Sequence, residues 1–353
     1  MELFKEGNVE FYAPAGDITK KLPVFYNPVM KFDRDLTIAV LQHFKGRYCD
    51  ALAGTGIRGM RAAKEAGFEV WINDMNPKAI ELVKKNLKKN KITAEVSHSD
   101  INLFLRQFRE GKFDVIDIDP FGSFITAFDS AVRALHRDGG LLCLTATDTA
   151  PLCGVSVKTC QRRYDAKPLR VSFAKEIGLR ILIGACARMI AKYDFGFKPL
   201  LCYNHRHYFR LFLLTDNSMD NADEMLKKVC YLQYCPKCDW RDYAKVDRFK
   251  EKCPNCRGRL DWTGPLWSGE FADVDFLKKL SVDNKEIDKL ISLLKQEQQV
   301  TVPFYDLHHL AELNKTMTRK KDDIIGEIRS KGKKAYNTHF CTTGIRSEIL
   351  PSF

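Results

Sequence analysis

Between residues 47 and 145 the chain alternates short β-prone runs with longer amphipathic ones, and this restricts its fold more than any other feature. In order come RYCDALAG from Arg47, a helical run to about Ala66, FEVWIND from Phe68, a helical run from Pro77, AEVSHSD from Ala94, FDVIDID from Phe113 and LLCLTAT from Leu141. Strands separated by helical crossovers run parallel, so the pattern predicts an α/β domain: a mostly parallel sheet with helices on both faces.

A basic connecting region follows, then a helix near Lys175 to Lys192. The stretch PLLCYNHRHYFRLFLLTD reads as two strands that can pair at a sheet edge, which ends the sheet domain near Thr215 to Asn217. The turn-prone Asp216-Asn217-Ser218 opens a second region. It holds a cysteine cluster, the Gly264-Pro265 break, helical patterns from Asp275 to Gln299 and from Asp306 to Gly326, and a basic tail. The expected division is therefore 1–217 and 218–353, the latter α+β. With 353 residues, 45% of them hydrophobic, the chain has apolar material for two cores.

Charge narrows the partners. Lys and Arg number 57 against 45 acids, a formal +12, and such an excess suits a polyanion bound through phosphate contacts. The excess is central: Lys158 to Arg210 carries 12 basic and 3 acidic side chains, and Lys227 to Arg259 carries 10 and 4. A solvated helix face explains any single run equally well. No stretch approaches the roughly 20 apolar residues of a membrane span, and the N-terminal segment with Glu2, Lys5, Glu6 and Glu10 does not read as a signal peptide. Eight of the twelve cysteines, among them Cys49, Cys143 and Cys186, sit in apolar segments as small core residues do. A reducing, cytoplasmic setting is expected.

The first strand turns into its helix through Asp50-Ala51-Leu52-Ala53-Gly54-Thr55-Gly56-Ile57-Arg58-Gly59. Gly54 and Gly56 let backbone approach a ligand without a Cβ in the way. Asp74 ends the second strand 20 residues past Gly54, close to the spacing at which a carboxylate accepts hydrogen bonds from ribose hydroxyls. The loop is A-G-T-G-I-R-G, not the G-x-G-x-x-G that seats a pyrophosphate. A nucleoside-bearing cofactor without phosphates fits, and S-adenosylmethionine is one. Asp100, after the third strand, can sit near an adenine amino group or serve as the N-cap of the next helix; the sequence supports both readings.

Asp114 to Gly122 reads as a buried strand that ends in an acid, a proline and an aromatic: Asp119-Pro120-Phe121. It lies at the carboxyl edge, where open α/β sheets bind ligands. The turn resembles the Asp/Asn-Pro-Pro-aromatic turn of methyltransferases acting on exocyclic amino groups. A base NH2 is a poor nucleophile because its lone pair is delocalised into the ring, so acceptors must hold its hydrogens and localise that pair. Asp119 and the backbone carbonyl fixed by Pro120 supply the acceptors, Asp119 can take the proton released, and Phe121 offers a face for stacking.

Cys235-Pro236-Lys237-Cys238 and Cys253-Pro254-Asn255-Cys256 form C-x2-C-x14-C-x2-C, two knuckles able to close a tetrahedral thiolate site on Zn²⁺. Four thiolates leave no open position, so the metal is structural. Arg241, Lys245, Arg248, Lys250, Arg257 and Arg259 are interleaved with the knuckles, a basic ribbon suited to RNA. Lys331 to Lys334 with Tyr336 and His339 has the same character. His308-His309 reads as helix packing, since the cysteines already complete a site.

Along nearly its whole length the chain resembles the tRNA guanine-26 N2-dimethyltransferases. The match lies in Val24-Phe25-Tyr26-Asn27-Pro28, Arg34-Asp35-Leu36, the DALAGTGIRG loop, Asp119 to Ser123, Gly264-Pro265-Leu266-Trp267 and Thr338-His339-Phe340. The resemblance implies a Rossmann-like class I methyltransferase domain plus an α+β C-terminal domain with a zinc-knuckle insertion, using S-adenosylmethionine and binding tRNA. It further implies that Arg34, Arg58, Asp74, Asp100 and Ile101 contact the cofactor, and that Phe25 and Phe121 sandwich the extruded guanine. Asp33 stands where this family usually has Asn, and Ile345-Arg346-Ser347 where it usually reads Ile-Lys-Thr; neither departure is expected to touch the chemistry. An amino methyltransferase of another RNA or DNA base, and a non-catalytic RNA-binding protein, are the alternatives.

Overall fold

The computed structural model describes residues 1–15, 22–108 and 111–352. The chain begins with an antiparallel hairpin of β1 (Glu2–Glu6) and β2 (Val9–Ala13), which the alternating pattern from residue 47 onward did not predict. Val9, Phe11 and Ala13 are buried at every second position, and they pack with Tyr26, Ile57, Met60, Ile72, Val83 and Leu87 in one apolar cluster.

Next come α1 (Lys31–Leu41), β3 (Arg47–Asp50), α2 (Ile57–Ala66), β4 (Glu69–Asp74), α3 (Pro77–Asn90), β5 (Glu95–His98), α4 (Ile101–Arg106), β6 (Val115–Ile118), α5 (Ile125–Ala134) and β7 (Leu141–Ala146). The expected strand and helix alternation is all present. Local signals fix several ends: Asn76 caps α3 with Pro77 in its first turn, and Gly67 ends α2 at φ +74°. Then follow α6 (Thr149–Leu152), α7 (Val157–Tyr164), α8 (Ala174–Ile190), β8 (Phe195–His205) and β9 (Tyr208–Asn217). The main sheet has seven strands in the order β5-β4-β3-β6-β7-β9-β8. Its pairs β5-β4, β4-β3, β3-β6 and β6-β7 are parallel.

The remainder is α9 (Met219–Lys227), β10 (Val229–Tyr234), β11 (Arg241–Ala244), β12 (Asp261–Trp267), α10 (Val274–Lys279), α11 (Lys285–Glu297), β13 (Tyr305–Asp306), α12 (Leu307–Asn314), α13 (Lys321–Ser330), β14 (Ala335–Asn337) and β15 (Gly344–Ser347). Two three-stranded sheets, β11-β10-β12 and β13-β15-β14, make this region α+β. Both long helical patterns are split in two. The first breaks where Asn284 caps a new helix through the amides of Glu286 and Ile287, and the second breaks where Lys315 adopts φ +53°.

The molecule does not divide at one point, as a boundary at 217 supposes. One compact unit holds residues 1–145, 212–217 and 279–288; the other holds 146–211, 218–278 and 289–353. The chain leaves the first unit after β7 and returns to it with the second half of β9, so a linear boundary cannot separate the cores. Among the described residues no helix is long and apolar enough to cross a membrane.

A buried ion network anchors the second unit. Glu176 Oε1 accepts from Arg180 Nε at 2.9 Å, and Glu176 Oε2 accepts from Arg346 Nη2 at 2.7 Å. Arg346 Nη2 also reaches Glu297 Oε2 at 3.1 Å. Glu297 Oε1 accepts from the His339 backbone amide and ring Nδ1, each at 2.7 Å, while His339 Nε2 accepts from the Asn204 amide at 3.2 Å. His339 therefore belongs to the core, not to a basic RNA-facing stretch, and the Thr338-His339-Phe340 block is a structural clamp.

Candidate active site

Sheet register gathers the first unit's site. Asp50 lies beside Asp117 and Ile72, and Asp74 beside His98. Ala51 N donates to Asp117 O at 3.1 Å and Ala53 N to Asn73 O at 2.9 Å, which pins the glycine loop between the ends of β6 and β4. Gly54 and Gly56 have φ of +53° and +79°, a conformation that favours glycine, and a Cβ on Gly54 would lie 3.0 Å from the Phe25 carbonyl oxygen. The loop and the Phe25 segment are thus in contact.

Asp74 closes this cradle from the far side. Its Oδ2 accepts from Gly54 N and its Oδ1 from Asn76 N, both at 2.8 Å. Asp100 caps α4 through Oδ1, accepting from Asn102 N at 2.9 Å and Leu103 N at 3.2 Å, with Ile101 next in the chain. The cap reading of Asp100 is therefore realised, and it occupies only one carboxylate oxygen. Arg34 is buried: Nε and Nη2 bond Glu6 Oε2 and Oε1 at 2.7 and 2.6 Å, and Nη2 also reaches Asn27 O at 3.0 Å. These bonds leave its Nη1.

Arg58 on α2 lies among three acids. Its Nε and Nη2 lie 3.1 and 2.6 Å from Asp119 Oδ2, Nη2 lies 2.6 Å from Asp33 Oδ2, and Nη1 lies 4.0 Å from Asp117 Oδ2. Burial alone disfavours the charge of Arg58, but Asp119, Asp33 and Asp117 outweigh it and raise its pKa well above the ordinary value. Asp117 Oδ2 accepts from Tyr48 OH at 3.0 Å, and Asp50 Oδ2 from Gly59 N at 2.9 Å. Burial, reinforced by the charge of Asp117, lifts the Asp50 carboxyl to about 7. Asp33 on α1 therefore shares with Asp119 the guanidinium of Arg58, a contact that its place in the sequence did not suggest.

Both Arg58 bonds to Asp119 fall on Oδ2, which leaves Oδ1 for another donor. Beside it Pro120 is partly buried, and Phe121 is 62% exposed. Phe25 and Phe121 meet edge to face, with centroids 4.6 Å apart and planes at 84°. A base held between two rings needs roughly 7 Å between them, so these rings are together but would have to part to admit one.

Sequence reasoning missed Glu6, Asp33, Tyr48 and Asp117 as members of this site. For Glu6 a signal was present: two alternating runs flank Gly7-Asn8, a hairpin pattern. For the others the signal is spatial only.

In the second unit the four cysteine Sγ atoms lie within 4.8 Å of one another, with Cys235 to Cys256 at 3.5 Å and Cys238 to Cys253 at 3.6 Å. A tetrahedral site with Zn–S of about 2.3 Å has edges of roughly 3.8 Å, so the set fits that ion. The two turns are alike: Asp239 N donates to Cys235 O and Arg257 N to Cys253 O, each at 2.9 Å, and Asp239 and Arg257 both have positive φ. Lys245, Arg248, Lys250, Arg257 and Arg259 are exposed around them. Arg241 is not: it is buried, paired with Asp239, and stacked 3.6 Å from the Phe173 ring centroid. His309 Nε2 lies 3.7 Å from Asp239 Oδ1.

The geometry can now be set beside known proteins. The profile of the family described as N2,N2-dimethylguanosine tRNA methyltransferase matches residues 5–351. The chain belongs to this family. It is 37% identical to the tRNA (guanine(26)-N(2))-dimethyltransferase of Methanosphaera stadtmanae, over 98% of this chain and 94% of that one. Identity is also 37% to the tRNA (guanine(26)-N(2)/guanine(27)-N(2))-dimethyltransferase of Aquifex aeolicus, over 99% and 93%. A solved structure of Trm1 from Pyrococcus horikoshii in complex with S-adenosyl-L-methionine superposes with a TM-score of 0.88 at 35% identity, covering 99% of this chain and 97% of that one. Both units thus share the family's architecture.

Proposed function

We propose that the chain transfers methyl groups from S-adenosylmethionine to the exocyclic N2 of guanosine at position 26 of tRNA, giving N2-methyl- and N2,N2-dimethylguanosine. The observation that carries the reading is Asp119: one oxygen is fixed by Arg58 while the other is left for an amino group, and two aromatic rings stand beside it. Family membership along the whole chain supplies the substrate.

The cofactor fits the first unit. Arg58 Nη1 is a buried donor with no hydrogen-bond partner among the described residues, as a site awaiting an anionic group would leave it. Arg34, Arg58, Asp74, Asp100 and Ile101 would hold the cofactor around the loop of Asp50, Gly54 and Gly56. When bound it supplies an electrophilic methyl on a sulfonium. Asp119 Oδ1 and the Pro120-fixed backbone accept the N2 hydrogens and localise the lone pair, and Asp119 receives the proton released with each transfer. Phe25 and Phe121 part to take the extruded base between them, offsetting the few kcal/mol of unstacking.

In this reading the first unit carries the reaction and the second binds folded tRNA through phosphates, its exposed lysines and arginines held by a Cys235, Cys238, Cys253 and Cys256 zinc site. The eight cysteines outside the knuckles, none of them in a disulfide, support a reducing, cytoplasmic setting. The test is nucleoside analysis of unmodified tRNA, ribosomal RNA and duplex DNA after incubation with labelled cofactor. Label in N2-methylated guanosine of tRNA is expected, and its absence there would overturn the reading.

A further inference from the structure

One guanidinium serves several acids. Arg58 Nη2 lies 2.6 Å from both Asp33 Oδ2 and Asp119 Oδ2, so those two oxygens are no more than about twice a hydrogen-bond length apart. The neighbouring cations are committed elsewhere: Arg34 to Glu6, and Arg61 to Asp35 and Glu65. The groups facing the Arg58 and Asp119 pair are Asp33 from α1, Tyr48 and Asp50 from β3, and Asp117 from β6. Asp33 is fully buried, so water screens its charge little.

We propose that Asp33 is a positioning residue for the methyl transfer: by sharing Nη2 of Arg58 with Asp119, it sets how much positive charge Asp119 feels and keeps that carboxylate a strong proton acceptor. An Arg given wholly to Asp119 would orient it equally well but would stabilise its ionised form and weaken it as a base. Asp33 divides the two effects: the donation of Nε and Nη2 to the single oxygen Oδ2 of Asp119 fixes orientation, while the charge of Asp33 takes part of the field. The other buried acids of the cluster are Asp117, whose Oδ2 lies 4.0 Å from Arg58 Nη1, and Asp50. The proposal rests on Asp119 accepting from the guanine amino group, as in the preceding section.

Asp33→Asn removes the charge at nearly constant size and keeps an acceptor for Nη2. Asp33→Ser does the same with a smaller side chain, so a folding failure of one leaves the other. The measurement is the single-turnover rate on unmodified tRNA from the acid edge of activity, about pH 4, to pH 8.5, with cofactor affinity measured separately by calorimetry. In either variant the acid limb of the rate should move down by about one pH unit, a tenfold change in proton affinity. The plateau should fall roughly threefold to tenfold as the acceptor weakens, while cofactor affinity stays within about twofold. A plateau that falls with the limb unmoved means Asp33 only supports packing and overturns the proposal. If the unaltered chain transfers nothing to tRNA, the functional reading itself falls; if it transfers and only the limb fails to move, the charge-sharing role alone falls.

Discussion

Glu6→Gln tests the part of the candidate site that lies farthest from Asp119 in sequence. Glu6 sits on the N-terminal hairpin at 2% exposure, where it accepts two bonds from Arg34 and one from Tyr26 OH at 2.8 Å. The substitution keeps shape and removes the charge, leaving Arg34 buried with only Asn27 O and a neutral amide as partners. Stranding one member of a buried ion pair costs about 3–5 kcal/mol. For a unit of about 160 residues each kcal/mol shifts the melting temperature by about 2–4 °C, so the first unit should melt roughly 6–20 °C lower. Calorimetry of the cofactor-free protein reads this, and the calorimetric affinity for S-adenosylmethionine should weaken as Arg34 loses its orientation. Glu6→Leu combined with Arg34→Met replaces the pair by apolar side chains and should recover most of the stability but not the cofactor affinity. A single-substitution cost under about 1 kcal/mol, or a double variant no more stable than Glu6→Gln, would refute the view that the hairpin is tied on by this pair.

Two further outcomes follow from titration and from the cysteines. Asp50 holds its proton to about pH 7 in the folded state against about 3.9 when unfolded, so the folded state binds the extra proton and stability declines as pH rises between those values. Asp50→Asn lacks that decline, and its melting temperature relative to the unaltered protein should climb between pH 5 and 8; a constant difference would refute it. In the second unit, metal analysis should give one zinc per chain, and chelation or Cys235→Ser should expose the segment between Cys235 and Cys256 to protease. A segment equally resistant with and without metal would show that the knuckles hold by other contacts.

The legible features share a local origin. Each step of the strand and helix alternation, the Gly54 and Gly56 turn, the carboxyl-edge placement of Asp74 and Asp119 and the paired knuckles is written in a short run of consecutive residues. Spacing along the chain became spacing in space because each lies in one element or one turn. The failures are of another kind. Arg241 and His339 were read as basic surface, yet Arg241 is buried against Phe173 and His339 against Glu297. Charge alone does not say whether a partner waits inside. The helical patterns after Asp275 and Asp306 were read as continuous because apolar period survives a break that Asn284 or Lys315 introduces.

By itself the sequence determined the α/β sheet, the glycine loop after its first strand, the acid and proline turn at Asp119 and the four-cysteine cluster, since each depends on residues near one another in the chain. Only the tertiary structure decided which charges meet. Glu6 on the hairpin, Asp33 on α1, Arg58 on α2 and Asp119 after β6 come from four elements, and a buried charge is satisfied by whatever the fold brings within hydrogen-bond reach. That is why Asp33, remote from Asp119 in sequence, shares an arginine nitrogen with it.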